Sequence, residues 1–301
     1  MATQPQDIAA PAKQEYDANA YVLSADLQQP VPSVIEPQFQ VTLPKEGTYQ
    51  YKTAPAYNLY GVFSYESGYT QVSGHPSSKR EGFTTLATSV IEGLNVLDVV
   101  TADRVVGQIS TTRPYDGAVP SVTFLGTRFV NLRIGGHEVK VNQDLHILGP
   151  KPAGDVFYFD DPAVQKRMSD VCNKIQGRSD FPDWARQHFQ WGKPRPQFGG
   201  QGGAACSLVT EIESSSGQSF GNVIDLPHFG QIFLGEVSVD RTPPPPNTDQ
   251  YETYTFHLTM VRLEMGCIGA GNLTAVKLDT NGTGSGGGGG KPPAPPPHGG
   301  K

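Results

Sequence analysis

The run Ser89-Val-Ile-Glu-Gly-Leu-Asn-Val-Leu-Asp-Val-Val-Thr-Ala-Asp-Arg-Val-Val-Gly107 and its successor Ser121-Val-Thr-Phe-Leu-Gly-Thr-Arg-Phe-Val-Asn-Leu-Arg-Ile-Gly-Gly-His-Glu-Val139 decide the fold class. Both are rich in Val, Ile, Leu, Thr and Phe, the residues that fit a pleated, half-buried surface. In the second run Phe129, Asn131 and Arg133 alternate with Val130, Leu132 and Ile134. A period of two marks a strand with one buried face, and Gly135-Gly136 then supplies a two-residue hairpin turn. The stretch Glu81 to Pro150 therefore predicts strands, and the rest of the chain is read around it.

Towards the C-terminus the period changes. Val164, Met168, Val171, Cys172 and Ile175 fall on one helical face, with Lys166, Arg167, Asp170, Asn173 and Lys174 on the other. Asp161 as N-cap, Pro162 at the first helical position and Gly177 after the end bracket one amphipathic helix that should lie on the sheet. Pro182 starts a second short helix with Phe181, Trp184 and His188 on its apolar side, and Trp191 with the Gly-rich run Gly199 to Gly203 reads as a flexible crossing. Strand patterns resume at Ser207 to Glu213, Asn222 to Leu226, Gly230 to Val239, Tyr251 to Glu264 and Leu273 to Leu278. The tetraproline Pro243 to Pro246 reads as a stiff surface spacer.

Towards the N-terminus Tyr21 to Leu27 reads as a first strand. The stretch punctuated by Pro30, Pro32, Pro37 and Pro44 lacks donors and belongs on an edge or the surface. Between Thr48 and Thr70 tyrosine dominates, at Tyr49, Tyr51, Tyr57, Tyr60, Tyr65 and Tyr69. A strand over Asn58 to Tyr65 would carry aromatics on both faces. Such rings stack on a flat ligand such as a sugar while their hydroxyls bond at its rim. They equally suit a core or cross-strand pairs. Tyr57, Tyr60, Tyr65 and Tyr69 are the candidate ligand-binding residues.

Composition supports this reading. Thirty-five Gly and 26 Pro among 301 residues favour turns and short strands, and charged residues are only 17%. A net charge of −6 with no basic stripe argues against a nucleic-acid partner. No apolar run reaches membrane-spanning length, and the first residues carry no secretory signal. Cys172, Cys206 and Cys267 are far apart without a CxxC, so a zinc site is not expected. The expected architecture is an antiparallel β-sandwich or jelly-roll-like core over residues 21–280 with a helical insert at 162–191. A flexible arm at 1–20 and a Gly/Pro-rich disordered tail at 281–301 flank it.

Chemistry does not converge. Asp160 and Asp161 are adjacent and point apart on a strand, Asp161 being explained as a cap, while Glu211 and Glu213 share a face and could bind a hard cation or stay solvated. Glu252 adds a lone carboxylate. His75, His137, His146, His188, His228 and His257 make no i, i+4 helical pair and no HxH. No G-x-S-x-G elbow occurs, Gly199 to Gly203 lacks the Lys of a phosphate loop, and Cys206 reads as a small buried hydrophobe. No catalytic, cofactor or metal residue is assigned.

Thr88-Ser-Val-Ile-Glu-Gly-Leu-Asn-Val-Leu, Val122-Thr-Phe-Leu-Gly, Val130-Asn-Leu-Arg-Ile-Gly-Gly-His-Glu-Val139, Asn222-Val-Ile-Asp-Leu-Pro-His-Phe-Gly-Gln-Ile-Phe-Leu-Gly-Glu236 and Gly271-Asn-Leu-Thr-Ala-Val-Lys-Leu278 resemble bacterial choice-of-anchor P type surface proteins. The resemblance covers about two thirds of the chain, in apolar and Gly positions. It implies export to the cell surface or the extracellular space and leaves molecular function undefined. Two functions are carried forward: a non-enzymatic surface, structural or assembly protein, as a homo-oligomer or filament, and a carbohydrate- or ligand-binding module with a polysaccharide as partner. A hydrolase whose carboxylates are gathered only by the fold is the third.

Overall fold

A computed structural model describes residues 16–29, 32–77, 82–114, 119–154, 156–193, 203–243, 253–266 and 271–281. In chain order the first strands are β1 (Asp17–Leu27), β2 (Ser33–Gln38), β3 (Val41–Thr42), β4 (Thr48–Ala54), β5 (Tyr57–Leu59), β6 (Phe63–Tyr65) and β7 (Ser67–Pro76). The long pair β8 (Gly82–Val96) and β9 (Val100–Pro114) follows, then β10 (Ser121–Thr123), β11 (Arg128–Val130), β12 (Arg133–Ile134), β13 (His137–Glu138) and β14 (Lys140–Gln143). After the helix α1 (Pro162–Gln176) come β15 (Ala204–Ser207), β16 (Val209–Glu213), β17 (Gln218–Phe220), β18 (Val223–Leu226), β19 (Gly230–Thr242), β20 (Thr253–Met265) and β21 (Gly271–Asn281).

These strands make an antiparallel β-sandwich. One sheet runs β17-β18-β19-β20-β21-β1-β2, with β15 beside β19 and β3 beside β1. The other runs β13-β12-β9-β8-β6-β5, with β10 and β11 also on β9 and the β4–β7 pair on β8. β14 and β16 pair separately. The layers meet where β9 has no side chain at Gly107, so that Val276, Leu278 and Met260 of the facing sheet close on its backbone. Ser89 Oγ donates to the Tyr21 carbonyl across the same interface at 2.9 Å, and the Thr111 and Thr280 hydroxyls bond at 3.2 Å. Burying such groups costs little because each finds its partner.

The first sheet is creased along one line. Ladder pairing passes over Gly235 and Met260 between β19 and β20, Met260 and Val276 between β20 and β21, and Val276 and Val22 between β21 and β1. On either side the core-facing positions change parity, from Ile232 and Leu234 to Val237 and Val239 in β19. Gly235 takes φ of 61° and Val276 φ of 57° at this line.

Several expectations are met by local chemistry. Gly135 and Gly136, with φ of 58° and 81°, turn β12 into β13. Asp161 caps α1, its carboxylate accepting from the N–H groups of Ala163 at 2.8 Å and Val164 at 3.1 Å. Val164, Met168, Cys172 and Ile175 are buried. Ile175 reaches Gly221 at the β17–β18 turn, which docks the helix on the first sheet. Pro37 sits in β2, at the end of the first sheet, as a residue without an N–H must.

Other expectations are corrected. The alternating run 129–134 is not one strand: Asn131 takes φ of 49°, its amide donates to Asp103 Oδ2 at 2.6 Å, and β11 and β12 pair with β9 separately. The strand expected over Asn58 to Tyr65 is the β5–β6 hairpin, turned at Tyr60 and Gly61 with φ of 49° and 74°. Residues 17–20, placed in the arm, belong to β1, which pairs with β21. Trp184, placed on an apolar side, is 41% exposed on a short 3-10 turn (Asp183–Arg186), whereas Trp191 is buried. Gly177 ends α1 in ordinary helical φ, −74°. The first arm residues, the Gly run up to 202, the tetraproline beyond Pro243, Cys267 and the tail lie outside the described residues. Among the described residues no helix is long and apolar enough to cross a membrane.

Candidate functional site

The tyrosines form two separate groups. Tyr49 and Tyr51 project from β4 with ring centroids 6.4 Å apart and planes within 7°, and Tyr51 approaches Tyr69 of β7 at 5.7 Å. Antiparallel pairing of β4 with β7 sets Thr53 opposite Tyr69, so Tyr51 and Tyr69 meet diagonally. With Tyr49 and Tyr51 at 55% and 47% exposure, the three rings make an open aromatic strip. Of the four predicted residues only Tyr69 belongs to it. Tyr57 stacks on Phe63 at 5.4 Å and on Tyr65 at 5.9 Å within the hairpin. Tyr65 is buried at the wall of a smaller open pocket shared with Tyr57, and burial, followed by Tyr57, pushes its phenol up to about 12. Tyr60 stands exposed at the hairpin tip.

The predicted carboxylates are individually partnered. Glu213 meets Lys140 at 2.8 Å and Glu211 meets Lys174 at 3.4 Å, so each faces its own ammonium. The Lys140 hydrogen bond, with Asn142 next, holds the Glu213 carboxyl below its ordinary value. Asp160 pairs with Arg241 at 3.2 Å. Glu252 lies outside the described residues. Cys172 and Cys206 are buried and unbridged, and burial pushes the Cys206 thiol far above its ordinary value. Such a thiol is inert at neutral pH. Among the described residues no group of three or more His, Cys, Asp or Glu is set to hold a metal ion.

A further site was missed by sequence reasoning. On the outer face of β19, β20 and β21, beneath the segment that follows α1, an open groove of about 710 Å³ is walled by Trp184, His188 and Trp191. Its floor carries two ionic clusters. Arg262 donates from Nε and Nη2 to both oxygens of Glu236 at 2.6 and 2.8 Å and from Nη1 to Glu264, and its guanidinium lies 3.7 Å over the Phe233 ring. A bidentate pair with a stacked guanidinium is geometrically rigid. His257 donates from Nδ1 to Asp279 at 2.6 Å and from Nε2 to Asp240 at 3.1 Å. Two such donations require the imidazolium. Burial alone would lower the His257 pKa, but the hydrogen bond and charge of Asp279, with the charge of Asp240, outweigh it and raise the value. Ser238, Thr259 and Lys277 lie among these clusters.

The crease puts these groups on one face. Beyond Gly235 the parity change turns Glu236, Ser238 and Asp240 outward and sends Val237 and Val239 into the core. The signal was present in sequence as doubled apolar residues, Val22-Leu23, Met260-Val261 and Ala275-Val276, where strict alternation would place one.

Residues 15–240 match the model of a family described as a domain of unknown function (DUF8256). The chain belongs to that family. The DUF8256 match takes in the tyrosine strip, the groove's aromatic wall and the β19 part of its floor, while β20 and β21 lie beyond it. No curated protein and no solved structure matches the chain.

Proposed function

We propose that this chain is a non-enzymatic module of an extracellular surface protein and that it holds a polysaccharide on Tyr49, Tyr51 and Tyr69. The observation that carries the reading is the strip itself: two parallel, stacked and exposed rings continued by a third across the β4–β7 ladder. Exposed aromatic rings in a row offer apolar contact to the C–H groups of successive sugars, with phenol hydroxyls at the rim. The resemblance to choice-of-anchor P type surface proteins supports the location. Pull-down on insoluble cellulose, chitin and peptidoglycan tests it. Tyr49→Ala and Tyr51→Ala should each weaken binding by about threefold to tenfold, the worth of one stacked ring at ~0.5–1.5 kcal/mol. Tyr60→Ala removes a still more exposed ring outside the strip and should change nothing. Equal loss from Tyr60→Ala, or no binding by the unaltered chain, refutes the reading.

Self-assembly into a homo-oligomer or filament is the second reading. It is favoured by β4, which among the described residues pairs with β7 alone and has six of its seven residues exposed, an open edge of the kind that recruits another strand. Particle mass in solution tests it, with Gln50→Pro to block the edge. Deleting residues 2–15 tests the arm while leaving β1 whole; a deletion to residue 20 would cut a strand in the middle of the sheet.

A further inference from the structure

We infer that the groove between the insertion and the creased sheet is a second ligand site, separate from the tyrosine strip, and that it takes one or two units of a neutral saccharide. The choice of saccharide as ligand class rests on the reading above; the existence of the site does not. At about 710 Å³ the groove has the size of a small-ligand site. Its wall presents Trp184 at 41% exposure. A large apolar ring left in water has no structural benefit there, yet the turn that carries it is anchored by buried Ala185, Phe189 and Trp191. That ring is therefore held in place over the floor.

The floor selects the ligand's charge. Glu236 and Glu264 share Arg262, and Asp240 and Asp279 share His257. A phosphate or sulfate entering here would meet three lining carboxylates, Glu236, Asp240 and Glu264, whose charge offsets that of Arg262, His257 and Lys277. A strongly cationic ligand would compete with Arg262 and His257, which already hold those carboxylates. A neutral polyol gains from both signs, because each hydroxyl is donor and acceptor at once and can bridge a carboxylate to a neighbouring N–H or to the Ser238 and Thr259 hydroxyls. Fixed ion pairs cost nothing further to orient when such a ligand arrives. One sugar face then stacks on Trp184 while its hydroxyls meet the floor.

Trp184 and Trp191 are the chain's two tryptophans, and both line the groove, so intrinsic fluorescence reports on it directly. The full chain is titrated with glucose, galactose, N-acetylglucosamine, maltose and cellobiose, followed by fluorescence and calorimetry. Sodium phosphate and glucosamine serve as charged probes. A saturable change with at least one neutral sugar is expected, weakened about tenfold by Trp184→Ala and several-fold by Ser238→Ala. The double variant Tyr49→Ala, Tyr51→Ala should leave it unaltered. Far-UV circular dichroism confirms that each variant is folded. No saturable response to any neutral sugar at millimolar concentration overturns the site. So does unchanged affinity in folded Trp184→Ala, tighter binding of phosphate or glucosamine, or loss of the response in the tyrosine double variant. Failure of the polysaccharide pull-down with a positive titration would sink the strip alone, and the converse would sink the groove alone.

Discussion

Replacing Met168 by Ala tests whether α1 is docked as part of the core. Met168 is fully buried on the inward face of the helix, beside Gly192 and Phe159, while Lys166 two residues earlier is 76% exposed and bonded to Asp170 one turn on. Truncating a buried Met removes its transfer free energy and leaves a cavity, together about 2–5 kcal/mol. Alanine's better helix propensity returns a few tenths, so ~2–4 kcal/mol should remain. Lys166→Ala loses an exposed i, i+4 pair worth about 0.3–0.5 kcal/mol and gains similar propensity, so its net effect should be near zero. Met168→Asp should exceed the alanine value, because an unpaired carboxylate would be trapped in apolar surroundings. Urea unfolding is followed by far-UV circular dichroism for the sheets and by tryptophan fluorescence for the insertion. With urea slopes of about 2–3 kcal/mol per molar, Met168→Ala should lower the midpoint by roughly 1 M. Because both tryptophans ride on the insertion, the fluorescence midpoint should fall at least as far as the circular dichroism midpoint. Equal shifts for Met168→Ala and Lys166→Ala would refute the docking.

His257→Gln should flatten the pH dependence of stability. A His pKa raised in the fold gives stability that is fully present below the unfolded value of 6.5 and lost as pH rises through the folded value, so the unaltered chain should weaken above pH 6.5 and the variant should not. Thermal melts across that range check it, and parallel curves would refute it. Gly107→Ala should destabilise by ~1–3 kcal/mol although strand propensity favours Ala, since the added methyl would sit 2.7 Å from Val276 Cγ1 and 2.9 Å from Leu278 Cδ1. A raised Tm would contradict the close approach of the sheets. Tyr158→Phe should cost about 1–3 kcal/mol in denaturant titration, because the buried hydroxyl accepts the Val122 N–H at 3.3 Å and nothing of the same reach replaces it. A neutral effect would mean that water takes over that N–H.

What was legible in the sequence was local. The turn at Gly135-Gly136 and the cap at Asp161 are decided by residues within a few positions of each other, and both stand where the pattern puts them. The long runs 89–107 and 121–139 declared strands through their Val, Ile, Leu, Thr and Phe content, which suits a pleated, half-buried surface. Alternation misleads at Asn131 and Tyr60, where both residues take left-handed backbone and break the strand, a conformation that a period of two does not encode. The tyrosine strip was half legible. Composition flagged Tyr49 and Tyr69, but which rings share a face depends on the β4–β7 register, so Tyr57 and Tyr65 were grouped with rings they do not meet. The groove was not legible as a site at all, because Trp184, Asp240, His257 and Lys277 come from separate segments joined only by sheet order.

Doubled apolar residues nevertheless carry the information that makes the groove. In a sheet packed on one face, a strand that shifts by one residue sends its apolar set to the wrong side. If Gly235 reversed the parity of β19 alone, pairing with β20 in unbroken alternation would oppose buried to exposed positions from there on. The penalty vanishes only if β20 reverses at Met260, β21 at Val276 and β1 at Val22, which is where the ladders skip. The reversal is therefore a collective property of four strands: β1, β20 and β21 each use an extra apolar residue for it, and β19 uses Gly235. Val276 adopts φ of 57° at this line, a conformation unfavourable for a β-branched side chain, yet it packs against Gly107 of the other sheet and is fully buried. Contact with the opposite layer holds the crease in place. The same reversal that keeps Val237, Val239, Leu258 and Leu278 inside turns Glu236, Asp240, His257 and Lys277 to the outer face beneath Trp184. Core packing thus fixes the positions of the polar floor, and the floor can change its side chains without disturbing the sandwich beneath it.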